Sequence, residues 1–285
     1  MFAWTPSHGY LICCLERTGS NLLAEALLHT GCAGRPLEYF SPVLQDKPWM
    51  RDILGEDTLL SGFSKVLRAG STPNDVFGIK IHWSHFRYLA TGLSSPDHTL
   101  PPVVPGSQLK LLAQLPDLVP TEELLRMLRA RAGDRAHFVA AYRYLAQRVP
   151  GLRVVWLRRE NMVARAISHC RALHSQVWSR FQSEAAHEAV PEFDAGRLHK
   201  MHVLGLFQDA SWQWLFTELG VRPHCVTYEQ LVKDYEPTVR GVLNFLQLGD
   251  FAGSVSPARL ARQADGVSQE WEARYRELCA LHELA

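Results

Sequence analysis

Residues 10–15 (YLICCL) form a continuous apolar run that breaks abruptly into Glu16-Arg17-Thr18-Gly19-Ser20-Asn21. The break concentrates donors: one guanidinium (Arg17), two hydroxyls (Thr18, Ser20), an amide (Asn21), and a glycine that lets the backbone turn sharply. A helical pattern follows at once, with Leu22, Leu23, Ala26 and Leu27 on one side and Gly31 as its stop. Strand, tight turn and helix start is the arrangement that points unpaired backbone N–H groups at an anion. An ordinary βα turn with a capping hydroxyl has the same outline, and spacing alone does not separate the two. The Walker sequence GxxxxGK[ST] is absent, since both its lysine and its first glycine are missing, and no acidic metal ligand stands nearby. Such a turn suits a phosphate-like group held without magnesium.

The remaining candidates depend on where strands and helices place them. Residues 76–83 (VFGIKIHW) read as a second strand, on which Lys80 and His82, two apart, share a face and can look into one site. Residues 152–157 (LRVVWL) read as a third strand, which runs out into Arg158 and Arg159. The helix after it carries Val163, Ala166, Ile167, Cys170 and Leu173 at helical spacing, with Ser168 among them. A fourth strand is expected at 224–228, and further helices at 134–149, 193–219, 235–246 and 268–284. Thr121 is expected to cap one more helix, with Glu122 and Glu123 in its first turn and a stop at Gly133. Strands alternating with helices predict an α/β fold with a parallel sheet and right-handed crossovers. Residues 92–120 contain six prolines and few periodic apolar positions, which reads as a surface excursion within one domain spanning 1–285.

The bulk composition narrows the function classes. The chain has 285 residues, and 30 Lys plus Arg against 29 Asp plus Glu give a net charge of +1, so the basic excess of a nucleic-acid binder is missing. The six cysteines form no CxxC pair; Cys13 and Cys14, adjacent on a strand, point to opposite faces and read as buried filler. Thirteen histidines show no HExxH and no zinc spacing, so no metal site is expected. No signal peptide and no apolar stretch of about 20 residues is seen, so no membrane span and a cytoplasmic location are expected.

The segment ICCLERTGSNLLAEALLHTGCAGRPLEYF closely resembles the opening of bacterial sulfotransferases of the trehalose 2-sulfotransferase family. That family shows a strand, Arg-Ser/Thr-Gly-Ser-Thr/Asn-Leu-Leu, a short helix, Thr-Gly, and Gly-x-Pro-x-Glu-Phe/Tyr-Phe. FGIKIHW and VVWLRREN…ARAIS are similar to its next two strand segments, and VTYEQLVKDYEPTVRGVLNFLQL and ARQADGVSQEWEARYREL to its C-terminal third. The match is weakest in the proline-rich excursion.

The resemblance implies a P-loop-like sulfotransferase fold and 3′-phosphoadenosine 5′-phosphosulfate (PAPS) as co-substrate, with no metal. Arg17, Thr18, Gly19, Ser20 and Asn21 would hold the 5′-phosphosulfate. Arg158 or Arg159, with Ser168, would clamp the 3′-phosphate; Arg159 is preferred, although its distance to Ser168 is one residue longer than the family spacing. Arg262 is a further candidate for the nucleotide. Glu38 matches the family's catalytic carboxylate, and burial beside the co-substrate is expected to raise its pKa. His82 competes for that role, because many eukaryotic-type sulfotransferases carry Lys-x-His on this strand, the histidine as base and the lysine near the leaving group. This family usually lacks a histidine there. The acceptor is expected to be a small-molecule or glycan hydroxyl, and a homodimer is implied by resemblance alone. A P-loop-type kinase or nucleotide hydrolase, and a non-catalytic nucleotide-binding protein, are the alternatives. Tyr39, Phe40, Trp83, Trp178 and Trp212 are expected to fill the core.

Overall fold

In a computed structural model the described residues are 4–96, 100–101, 112–178, 192–259, 265–282 and 284. They divide into two compact units. One contains the sheet and is drawn from residues 1–103, 134–158 and 211–258; the other is helical and is drawn from 104–133, 159–210 and 259–285.

The sheet has four strands, β1 (His8–Cys14), β2 (Val76–His82), β3 (Arg153–Arg158) and β4 (His224–Thr227). All neighbours run parallel, in the order β2-β1-β3-β4. The apolar runs are continuous because β1 and β2 are covered on both faces: every residue from Tyr10 to Leu15 is buried, as is all of β2. After β1 the chain goes to β2 on one side and then returns to β3 on the other. Such a reversal opens a crevice at the carboxyl ends of the strands, where α/β proteins bind their ligands. The register pairs Ile12 with Lys80 and Cys14 with His82, so both side chains of interest lie beside the end of β1.

Helices cover each face of the sheet unit. On one side α1 (Ser20–His29) contributes Leu23 and Leu27 to a cluster with Tyr10, Ile12, Val155 and Leu157. Val239, Val242 and Leu243 of a later helix (Tyr235–Phe245) join the same cluster. On the other side α4 (Trp83–Ser94) packs on a helix at Arg135–Arg148 through an aromatic stack. Trp83 meets Phe138 at 5.0 Å and Trp212 edge-on at 4.9 Å, and Trp212 stacks on Phe216 at 5.6 Å. The Trp212 Nε1–H donates to the Cys14 carbonyl at 3.1 Å, which satisfies its one polar atom in the core. Short helices α2 (Pro48–Leu54) and α3 (Phe63–Ala69) lie between α1 and β2 in the chain.

In the helical unit, Leu124 and Leu128 of a helix at Thr121–Ala130 belong to one core with Ala166 and Ile167 of Met162–Ser175. Leu198 and Met201 of Ala195–Leu219, and Trp271 and Tyr275 of Gly266–Leu281, complete it. Asp265 caps the last of these helices by accepting from the Ser268 amide and takes a two-pronged contact from Arg171, at 2.6 and 2.9 Å.

Three local expectations change. Thr121 is the first helical residue behind Pro120, and its hydroxyl donates to the Leu284 carbonyl instead of capping the helix. The start of the 92–120 stretch is the last turn of α4, because Ala90 and Gly92 are still buried; residues 97–99 and 102–111 lie outside the described residues. Tyr39, Phe40, Trp83 and Trp212 are core residues as expected, but Trp178 is exposed. Cys13 and Cys14 are buried and unbridged, which agrees with their reading as filler.

Candidate active site

The turn after β1 has the geometry of an anion cradle. Arg17 sits at φ 70° and Gly19 at φ 82°, both in the left-handed region, so the backbone curls around the strand end. For the non-glycine Arg17 this conformation is uncommon, and residues held this way concentrate at functional sites. Gly19 is also the N-cap of α1 and has no side chain to cap the helix, a helix start that suits an anion. The Thr18 hydroxyl, offered by the sequence as a ligand donor, instead donates to the Leu15 carbonyl at 2.8 Å and ties the turn closed. A side chain at position 19 is barred twice: by φ, and because a Cβ there would lie 2.6 Å from the Tyr228 ring.

Glu38 reaches this turn from a loop fastened to the edge of β2. Leu37 bridges to Ile79, and the Lys80 amide donates to the Leu37 carbonyl at 3.1 Å. The next residue is thereby set against the same strand face as Lys80. The Lys80 Nζ lies 2.6 Å from Glu38 Oε1 and also donates to Asn21 Oδ1 in the first turn of α1. One buried ammonium thus links the candidate base to the cradle. His82 ends β2, with Nε2 3.5 Å from the Ser20 hydroxyl and 3.9 Å from Glu38 Oε1. Its Nδ1 lies 3.8 Å from Glu16 Oε1, which accepts from the Ser84 hydroxyl at 2.7 Å. The His85 ring lies 4.7 Å from the His82 ring.

The electrostatics correct the expected pKa of Glu38. Burial pushes its carboxyl up, but the His82, Lys80 and His85 charges and the Lys80 hydrogen bond outweigh burial and hold it down at about 2. Desolvation was the only influence visible from sequence; His82 and Lys80, which with His85 override it, are brought in by β2. Burial, then the neighbouring His82, pushes His85 down to about 3, so this ring is neutral at physiological pH. Among the described residues, Glu38, His82 and His85 offer atoms within 4.8 Å of one another, close enough for a cation. Lys80 already supplies the positive charge on that carboxylate.

The structure therefore brings together Ser20, Asn21, Glu38, Lys80 and His82, with Arg17 and Gly19 in the adjoining turn. Arg158 ends β3 in the same unit, its guanidinium 4.3 Å from the Trp156 ring centre. Arg159 and the half-buried Ser168 belong to the helical unit, and Arg262 lies outside the described residues. Sequence reasoning passed over Glu16, Ser84 and His85. Their only signal was position: Glu16 directly precedes the turn, and Ser84 and His85 open the helix that begins where β2 ends.

A parallel sheet whose first strand feeds a glycine-bearing turn and helix, with carboxylate, lysine and histidine at the neighbouring strand end, is a P-loop-like α/β fold. Residues 9–116 and 106–278 match the Stf0 sulphotransferase family, and the chain belongs to that family. It is similar to the trehalose 2-sulfotransferase of Mycolicibacterium smegmatis, with 28% identity over 290 residues and 94% of each chain covered. It is also similar to the trehalose 2-sulfotransferase of Mycobacterium tuberculosis, with 27% identity over 292 residues and the same coverage. Sulfuryl transfer is the chemistry of this family, which makes the chain a transferase by membership. No helix among the described residues is long and apolar enough to cross a membrane.

Proposed function

We propose that the chain moves the sulfuryl group of PAPS to a hydroxyl of a small-molecule or carbohydrate acceptor. The observation that carries this reading is Lys80, one buried cation in contact with both Glu38 and the first turn of the cradle. In this reading the turn holds the 5′-phosphosulfate through Arg17 and backbone amides of the α1 start, a donor set suited to the charge that accumulates as the phosphate departs. The family resemblance assigns the 3′-phosphate to Arg158 or Arg159 with Ser168, and a further nucleotide contact to Arg262.

In the transfer, the acceptor oxygen attacks sulfur, the bond from sulfur to the phosphate oxygen breaks, and its electron pair stays on the phosphate. Lys80 is placed to neutralise that oxygen. The acceptor proton goes to Glu38, which is ionised but a weak base while Lys80 holds it. As Lys80 follows the charge developing on the leaving group, Glu38 loses one of the charges that hold it down and becomes more basic. The 3.9 Å between Glu38 Oε1 and His82 Nε2 lets a single hydroxyl oxygen lie within hydrogen-bond reach of both. A second reading, with His82 taking the proton, is favoured by the depressed pKa of Glu38. Carbohydrate hydroxyls, trehalose among them, are the first acceptors to test, because the similar proteins are named for that sugar.

Thermal denaturation separates the classes. The product nucleotide 3′-phosphoadenosine 5′-phosphate should raise the melting temperature without metal, and ATP with magnesium should not. Stabilisation by ATP–magnesium alone would instead point to a kinase or nucleotide hydrolase. Incubation with PAPS and a panel of hydroxylated acceptors, read by mass spectrometry for the gain of a sulfuryl group, identifies the acceptor class.

A further inference from the structure

We infer that Glu16, a residue outside the cradle motif, is a positioning residue that orients the His82 imidazole toward the acceptor hydroxyl. The inference rests on the second reading above, in which the hydroxyl between Glu38 and His82 gives its proton to His82. His82 is buried at the junction of β2 and α4, where its ring has few orientations open to it. Its two nitrogens face different partners: Nε2 looks to Ser20 and Glu38, Nδ1 to Glu16. The Nδ1 is buried and makes no hydrogen bond, so the carboxylate 3.8 Å away is the group placed to accept a hydrogen bond from it. Contacts of this kind are often long before substrate binds and tighten in the reactive complex.

Glu16 is itself fixed. Its Oε1 accepts from the Ser84 hydroxyl, two residues beyond His82. One carboxylate oxygen thus faces both the imidazole and a serine at the start of the next helix. A carboxylate at Nδ1 favours the tautomer with the proton on Nδ1, which leaves the Nε2 lone pair toward the acceptor. This is the logic of the Asp–His pair in hydrolase triads, where the acid orients the ring and takes no proton itself. Among the described residues, Lys80 on β2 is paired with Glu38, Glu38 faces Nε2 rather than Nδ1, and His85 on α4 is neutral at physiological pH. The proton moves from the acceptor oxygen to Nε2, and Glu16 ends the step as it began.

A double-mutant cycle in the full chain tests this, with kcat, KM for PAPS and the thermal shift by 3′-phosphoadenosine 5′-phosphate read for each variant. Glu16→Gln keeps the shape but presents an amide that can donate to Nδ1 and favour the wrong tautomer. It should lower kcat about tenfold or more while KM and the thermal shift stay within about twofold. His82→Ala should lower kcat, and adding Glu16→Gln to it should then cost nothing further, because the ring it orients is gone. Equal losses from Glu16→Gln with and without His82, or a Glu16→Gln chain with full kcat, would overturn the inference. Full kcat in His82→Ala would overturn instead the placement of the hydroxyl beside His82. A retained thermal shift certifies that each variant is folded.

Discussion

Glu38 shows how one side chain's chemistry depends on residues distant in the chain. Its carboxyl titrates at about 2 against an ordinary 4.5, because the contacts with His82, Lys80 and His85 overcome the effect of burial. A depressed carboxylate stabilises the fold above its ordinary pKa, and that contribution disappears as the pH falls through the folded value. The stability difference between wild type and Glu38→Gln should therefore be largest near neutral pH, at most about 3 kcal/mol by this linkage. It should shrink between about pH 4.5 and 2, as read by denaturant unfolding across that window. In turnover, Glu38→Gln should lose a factor on the order of 10²–10⁴ with the product nucleotide bound almost normally. Full activity in that variant, together with loss in His82→Ala, would transfer the base to His82.

At the level of the element, the decisive unit is β1, its turn and α1. The strand is long enough to be buried on both faces and ends where the sheet order reverses, so its turn opens into the crevice. The helix that follows starts at Gly19, which has no side chain to cap it, a start compatible with an anion at its first turn. Gly19→Ala tests the turn. The left-handed φ costs an alanine about 1–2 kcal/mol, and the Tyr228 ring adds a steric clash. Calorimetry with 3′-phosphoadenosine 5′-phosphate should show affinity weakened roughly tenfold or more, since the turn must open to accept the methyl group. Unchanged affinity would mean that the nucleotide's phosphates are held elsewhere.

At the scale of the molecule, the sheet unit is assembled from three separate stretches of chain. Trp212 shows the consequence: it lies 198 positions from Cys14, yet donates to that carbonyl at the site end of β1. It also anchors Trp83, the residue after His82. Trp212→Ala should destabilise the sheet unit by about 3–5 kcal/mol, as emptied aromatic core positions do. Denaturant unfolding measures that cost, and a loss below about 1 kcal/mol would show that the stack is not what holds the strand end.

Four strands, most helix bounds to within a few residues, and the strand–turn–helix of the first segment were legible in the sequence, because all are local. Apolar runs, helical spacing and a glycine-bearing turn are written within ten residues of where they act. The sequence also singled out Glu38, Lys80 and His82, through a motif and a shared strand face. The tertiary structure decided how those three relate. Strand register sets Lys80 and His82 beside the end of β1, and the bridge from Leu37 to Ile79 carries Glu38 to them. Only then does Lys80 lower the pKa of Glu38, and only then does Glu16 face Nδ1 of His82. Electrostatic coupling falls off over a few ångströms of space, so groups more than 40 positions apart in the chain reveal it only after folding.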